Sequence, residues 1–150
     1  MSCDEAVEAA FPNLLLHGYK VTSAQSEFPN CVGWALYDFN QFWTPHAGRI
    51  RGYYWPPGFP PGDETVAMLV RIFELHGYRE CDGPDLERGM EKVAIYGEAG
   101  DLWTHAARQL PSGAWTSKLG TGIDIEHQAV DGLSPRYGAV VRILMRPRQD

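Results

Sequence analysis

The sequence predicts an α+β domain in which helices come first and an antiparallel sheet follows. Three observations carry this. The stretch NCVGWALYDF (30–39) spaces Val32, Ala35, Leu36 and Phe39 as an amphipathic helix does. The stretch DETVAMLVRIFELHG (63–77) repeats that spacing between an acidic start and a glycine stop. Beyond Gly77, four short apolar or alternating runs are separated by Gly, Pro, Ser and Asp.

Taken in order, residues 1–24 form a lead-in segment in which a short helix over 5–17 is broken at Pro12-Asn13. Asn30 is a good N-cap for the helix that starts at Cys31, because its side chain can accept from the free N–H groups of the first turn. Residues 43–62, WTPHAGRIRGYYWPPGFPPG, hold five prolines, four glycines and four Trp/Tyr residues, which predicts a long aromatic loop. The helix after it has Asp63 near its cap, Val66, Leu69, Val70 and Phe73 facing inward, and Gly77 as its stop. Strands are predicted over 92–97, 102–110, 114–120 and 137–146, with Pro111-Ser112-Gly113 as a hairpin turn.

A chain of 150 residues is expected to bury one core, so a single domain over 1–150 is predicted. The formal charge is −6, and no Lys/Arg block is dense enough to track a phosphate backbone, which argues against nucleic acid. No stretch approaches eighteen uninterrupted apolar residues, and MSCDEAVEAA never reaches the apolar region of a secretion signal. The expected setting is the cytoplasm, or export by a signal-independent secretion system, with no membrane partner. Cys3, Cys31 and Cys81 are an odd set without CxxC spacing and read as reduced thiols.

Cys31 sits where a helix N-terminus lowers a thiol pKa, and the thiolate is the nucleophilic form. A histidine on a strand beside that helix would activate it, and His105, in LWTHAARQL, is the best placed of five. His17, His46 and His76 lie by a turn, in the loop and in a last helical turn. His127 could orient His105 or bind substrate. The alternative for Cys31 is a small apolar residue filling a core, the commoner fate of a lone helical cysteine. His105 could likewise be a satisfied polar residue of a half-buried strand.

A cysteine at a helix start followed by a histidine on a downstream strand resembles the papain-like superfamily, including the NlpC-type peptidoglycan peptidases and amidases. Gln25, six positions before Cys31, matches the spacing of the glutamine that helps to form the oxyanion hole in papain-type enzymes. Trp34-Ala35 is similar to the Trp-Ala that follows the papain nucleophile, although Val32 and Gly33 intervene here. The segments NCVGWA, EKVAIYG, THAARQLPSGAWTSKLG and DIEH, followed by YGAVVRILMR, are also similar to an uncharacterised bacterial family with the pattern NCxxWA … THAARQ…GxWTSKLG.

The resemblance implies a papain-like fold, with the helix that bears Cys31 packed on an antiparallel sheet that bears His105. It implies a thiol-dependent hydrolase or transferase of amide, ester or thioester bonds, with Gln25 at the oxyanion. Asp124 is chosen as the third catalytic residue, with Ser117, Glu126 and His127 as alternatives. Trp34, Tyr53, Tyr54, Trp55, Ser117 and His127 are expected to contact substrate, which would be a peptide, a peptidoglycan fragment or an acyl group. No cofactor is implied. One alternative is a non-catalytic papain-like module of a bacterial conflict or secretion system that binds a protein through the aromatic loop. Zinc on Cys31, His105 and His127 or Asp124 ranks last, because no close-spaced ligand pair anchors it.

Overall fold

A computed structural model describes residues 3–23, 30–38, 41–45, 53–59, 62–98, 101–119, 123–134 and 136–148. The elements are, in chain order, α1 (Cys3–Ala10), α2 (Asn13–His17), β1 (Tyr19–Ser23), α3 (Cys31–Ala35), β2 (Phe42–Trp43) and β3 (Tyr53–Tyr54). There follow α4 (Val66–Leu75), β4 (Arg79–Glu80), β5 (Met90–Glu98), β6 (Leu102–Gln109), β7 (Trp115–Lys118) and β8 (Asp124–His127). A 3-10 turn (Val130–Leu133) and β9 (Ala139–Pro147) complete the fold. The class is α+β. Seven strands form one sheet in the order β1-β8-β7-β6-β5-β9-β4, and every pairing in it is antiparallel.

Both faces of the sheet are covered. On one, Cys31, Val32 and Ala35 of α3 and Leu69, Ile72 and Phe73 of α4 pack on Val93, Ile95, Ala106 and Leu144. On the other, Val7, Phe11, Leu14 and Leu133 pack on Ala94, Tyr96, Ala107, Trp115 and Ile125. Because successive strand residues point to opposite faces, β5 is buried continuously from Glu91 to Gly97, and from Val93 on it reads as an apolar run rather than an alternating one.

The predicted hairpin forms around Pro111-Ser112-Gly113: Leu110 N donates to the Ala114 carbonyl at 2.7 Å, and Gly113 turns at φ 94°. The second predicted helix is α4. Thr65 caps it by accepting from Met68 N at 3.3 Å, and Asp63 holds Thr65 in turn at 2.7 Å. The first stops at Ala35 instead of running to Phe39. Asp38 N donates to the Gly33 carbonyl at 2.8 Å and Tyr37 N to the Trp34 carbonyl at 3.3 Å, a Schellman closure that places Tyr37 at φ 64°. A tyrosine there costs about 1–2 kcal/mol relative to glycine. Compensating contacts come from Glu91, which accepts from its hydroxyl at 2.6 Å, and from Arg108, 4.0 Å over its ring.

The predicted aromatic loop is irregular over most of its described length, but Trp43 at its start and Tyr53–Tyr54 in its middle belong to β2 and β3, paired in parallel as Phe42↔Tyr53 and Trp43↔Tyr54. Trp43 is buried, and Tyr54, Trp55 and Phe59 pack partly buried against the α3–α4 core. Where described, these aromatics extend that core over the helices.

Candidate functional site

Asn30 sets the position of Cys31. Its side-chain oxygen accepts from Gly33 N at 3.2 Å, capping α3 as predicted, and from Trp43 N at 2.9 Å, while its amide nitrogen donates to the Trp43 carbonyl at 2.6 Å. One buried side chain thus ties the start of α3 to β2. Trp34, one turn on, reaches across to β7 and donates from Nε1 to Thr116 Oγ1 at 2.9 Å.

So anchored, Cys31 lies on β6 with its sulfur against the Ala106 amide, the residue that follows His105. Burial pushes the thiol up to about 11, opposed by the amides of Ala106, Val32 and Cys31 itself. Cys31 is therefore a neutral thiol at physiological pH.

The His105 side chain belongs to the other face. Its ring stacks on Tyr137 at 4.5 Å between centroids and meets the edge of Tyr96 at 5.3 Å. It is 1 % exposed, and its Nε2 is buried with no hydrogen-bond partner. Burial holds its pKa well below the usual imidazole range, and the nearby His127 adds to that effect. Cys31 and His105 thus flank the same point of β6 without a hydrogen bond between them. Tyr137, stacked on His105, also lies near enough to Cys31 that a thiolate there would raise its hydroxyl pKa.

Ser117 and His127 form a buried pair beside this point. Ser117 Oγ lies 2.8 Å from His127 Nε2, and His127 Nδ1 lies 2.9 Å from the Ala129 carbonyl oxygen. Only an N–H can face that carbonyl, so Nδ1 carries the proton and Nε2 accepts from the serine. Burial pushes His127 down to about 4.

Asp124 occupies a different place. It alternates with Ile125 on β8 and so faces the side of the sheet away from His127, the side that carries α3. There it accepts from Thr22 Oγ1 at 2.6 Å and stands opposite Lys118. Nothing in that setting orients His105. Gln25 lies outside the described residues, and Tyr53 is described through its backbone alone. Tyr54 and Trp55 belong to the core layer above α3. Tyr137 has no forerunner in the sequence reading, and no spacing signal links it to His105. Among the described residues, no three His, Cys, Asp or Glu side chains come together as metal ligands, and no helix is long and apolar enough to cross a membrane.

No curated protein and no solved structure matches the chain significantly. A family model described as a domain of unknown function, DUF7689, matches residues 20–145, a span that contains Cys31, His105, Ser117, Asp124 and His127. By that match over most of its length, the chain belongs to the DUF7689 family.

Proposed function

We propose that this protein is a thiol-dependent hydrolase or transferase acting on an amide, ester or thioester bond, with a papain-like relation between its cysteine helix and its histidine strand. The observation that carries the reading is the seat of the Cys31 sulfur against Ala106, one residue from a buried histidine whose Nε2 has no partner. An orphaned buried imidazole nitrogen is costly, and such groups cluster at sites of chemistry.

The pKa directions favour one form of this mechanism. A thiol raised to about 11 and an imidazole well below its usual range leave the proton on sulfur at rest. His105, whose side chain lies across β6 from the sulfur, therefore acts as a general base through a bridging water: the sulfur forms its bond to the carbonyl carbon, the carbonyl pair moves to oxygen, and the thiol proton passes by way of that water to the imidazole. When the tetrahedral adduct collapses, the bond to the leaving group breaks and His105 returns the proton to it. Water then releases the acyl group by the same two steps. Ser117 and His127 stand on the same face as His105, in place of Asp124, but both ring nitrogens of His127 are already held, so its effect on His105 is electrostatic.

A thioester probe tests it. Treated with an acetyl thioester, the protein should carry acetate on Cys31, located by peptide mass mapping, with Cys81 as the more exposed reference thiol. His105→Ala should slow acylation by about 10²-fold or more. Acylation of Cys81 alone, or an equal rate in the His105→Ala protein, would sink the proposal. The buried, neutral state of Cys31 favours the second reading, a non-catalytic binding module, and under it Cys31→Ala leaves partner binding intact.

A further inference from the structure

Arg108 is a buried cation with no salt bridge to a carboxylate among the described residues. Lys92 has Glu87 at 2.6 Å, and Arg146 has Glu91 at 2.7 Å. Arg108 is 8 % exposed, pairs with no carboxylate among the described residues, and has its Nε enclosed without an acceptor. A second unfilled donor lies close by. The Tyr78 hydroxyl is buried and unpartnered, in a ring 3 % exposed that feels Arg146, Glu91, Tyr37 and Arg108. Glu91, the carboxylate recorded among these groups, is already held by Tyr37 at 2.6 Å, by Arg146, and by Arg148 at 3.7 Å. Arg146 and Arg148 thus hold Glu91, while Arg108 lies over the ring of Tyr37, whose hydroxyl Glu91 accepts.

A buried charge without a counter-charge is strongly unfavourable. From these two unfilled donors and the unpaired guanidinium of Arg108, we infer that Arg108 and Tyr78 form a binding site for a ligand carboxylate. The planar guanidinium matches carboxylate geometry. Two open donors suit two carboxylate oxygens, and the fixed charge of Glu91 disfavours a dianion such as phosphate. Arg108 is two residues beyond Ala106 on β6, so it faces the same side as Cys31 at a spacing of about 7 Å along the strand. Where the thiol reading of Cys31 holds, the site selects substrates bearing a free carboxylate, such as a peptide terminus or an acidic side chain. That use rests on the proposed function; the binding site itself does not.

The test follows the Arg108 Nε–H resonance of the full chain by 15N NMR during titration with N-acetylalanine, with N-acetylalanine amide and sodium chloride at equal ionic strength as references. A saturable shift with the carboxylate alone is expected, weakened about tenfold or more in Tyr78→Phe. Cys31→Ala should bind as wild type does, which separates this proposal from the reactivity of the thiol. An Arg108 signal unmoved by N-acetylalanine, or moved equally by chloride, would overturn the site. Wild-type affinity in Tyr78→Phe would remove Tyr78 from it.

Discussion

The Ser117 hydroxyl donates to His127 Nε2 at 2.8 Å between β7 and β8, and neither residue is exposed to solvent. With Nδ1 committed to the Ala129 carbonyl, the pair has one tautomer and no spare donor. Ser117→Ala would strand the ring nitrogen in a dry site at a cost of about 1–3 kcal/mol. Urea unfolding should show that loss as a lower midpoint at unchanged slope, and 15N NMR of the wild type should show His127 protonated at Nδ1.

Acid should destabilise the protein through the same residue. His127 titrates near 6.5 when unfolded and near 4 when folded, because burial disfavours its charged form. Between those values the unfolded state binds more protons, so stability is full above about 6.5 and declines as pH falls toward 4, by about 3 kcal/mol. His105 shifts in the same direction and adds to the decline. Unfolding free energies at pH 7 and pH 5 check this, and His127→Gln should flatten the difference.

Cys31 gives a signal at the other end of the scale. Its thiol is raised from 9.0 to about 11, so the folded protein keeps a proton that the unfolded chain releases. Stability contributed by the neutral thiol is present below pH 9 and declines by about 3 kcal/mol as pH rises through 11. Thiolate absorbance near 240 nm should therefore show Cys31 titrating above the ordinary thiol range. Cys31 titrating with an ordinary thiol would remove the buried setting on which the general-base mechanism depends.

Asn30→Ala should displace Cys31 without touching it. The change removes the cap on Gly33 N and both bonds to Trp43. Loss of a cap alone costs about 1 kcal/mol, and the Trp43 groups left unpaired add to it. Thermal unfolding should register that destabilisation. The rate of Cys31 acylation should fall further than the stability loss accounts for, since α3 is tied to β2 by this side chain.

Much of the architecture was legible in local pattern. The helix α4 was readable because Val66, Leu69 and Phe73 recur at helical spacing, and the β6–β7 hairpin because Pro-Ser-Gly meets the needs of its turn. The strands β1 and β8, KVTS and DIEH at their cores, are too short and too polar to stand out, and each becomes a strand by pairing with a neighbour. The end of α3 was not legible, because its Schellman closure uses Tyr37 where the usual signal is glycine, and the partners of that tyrosine, Glu91 and Arg108, lie far along the chain.

For the site, sequence alone determined the residue types and their order: a cysteine at a capped helix start, and histidine, serine and a second histidine on later strands. Side-chain parity was decided by tertiary structure. Asp124 and His127 are three positions apart on one strand, an odd spacing that sends them to opposite faces, but which face meets His105 depends on strand register. Burial was likewise a product of the fold. Covering both faces of the sheet withdraws water from Cys31, His105 and His127 together, so the same residues that suggest an ion pair in the sequence stand as neutral groups in the core.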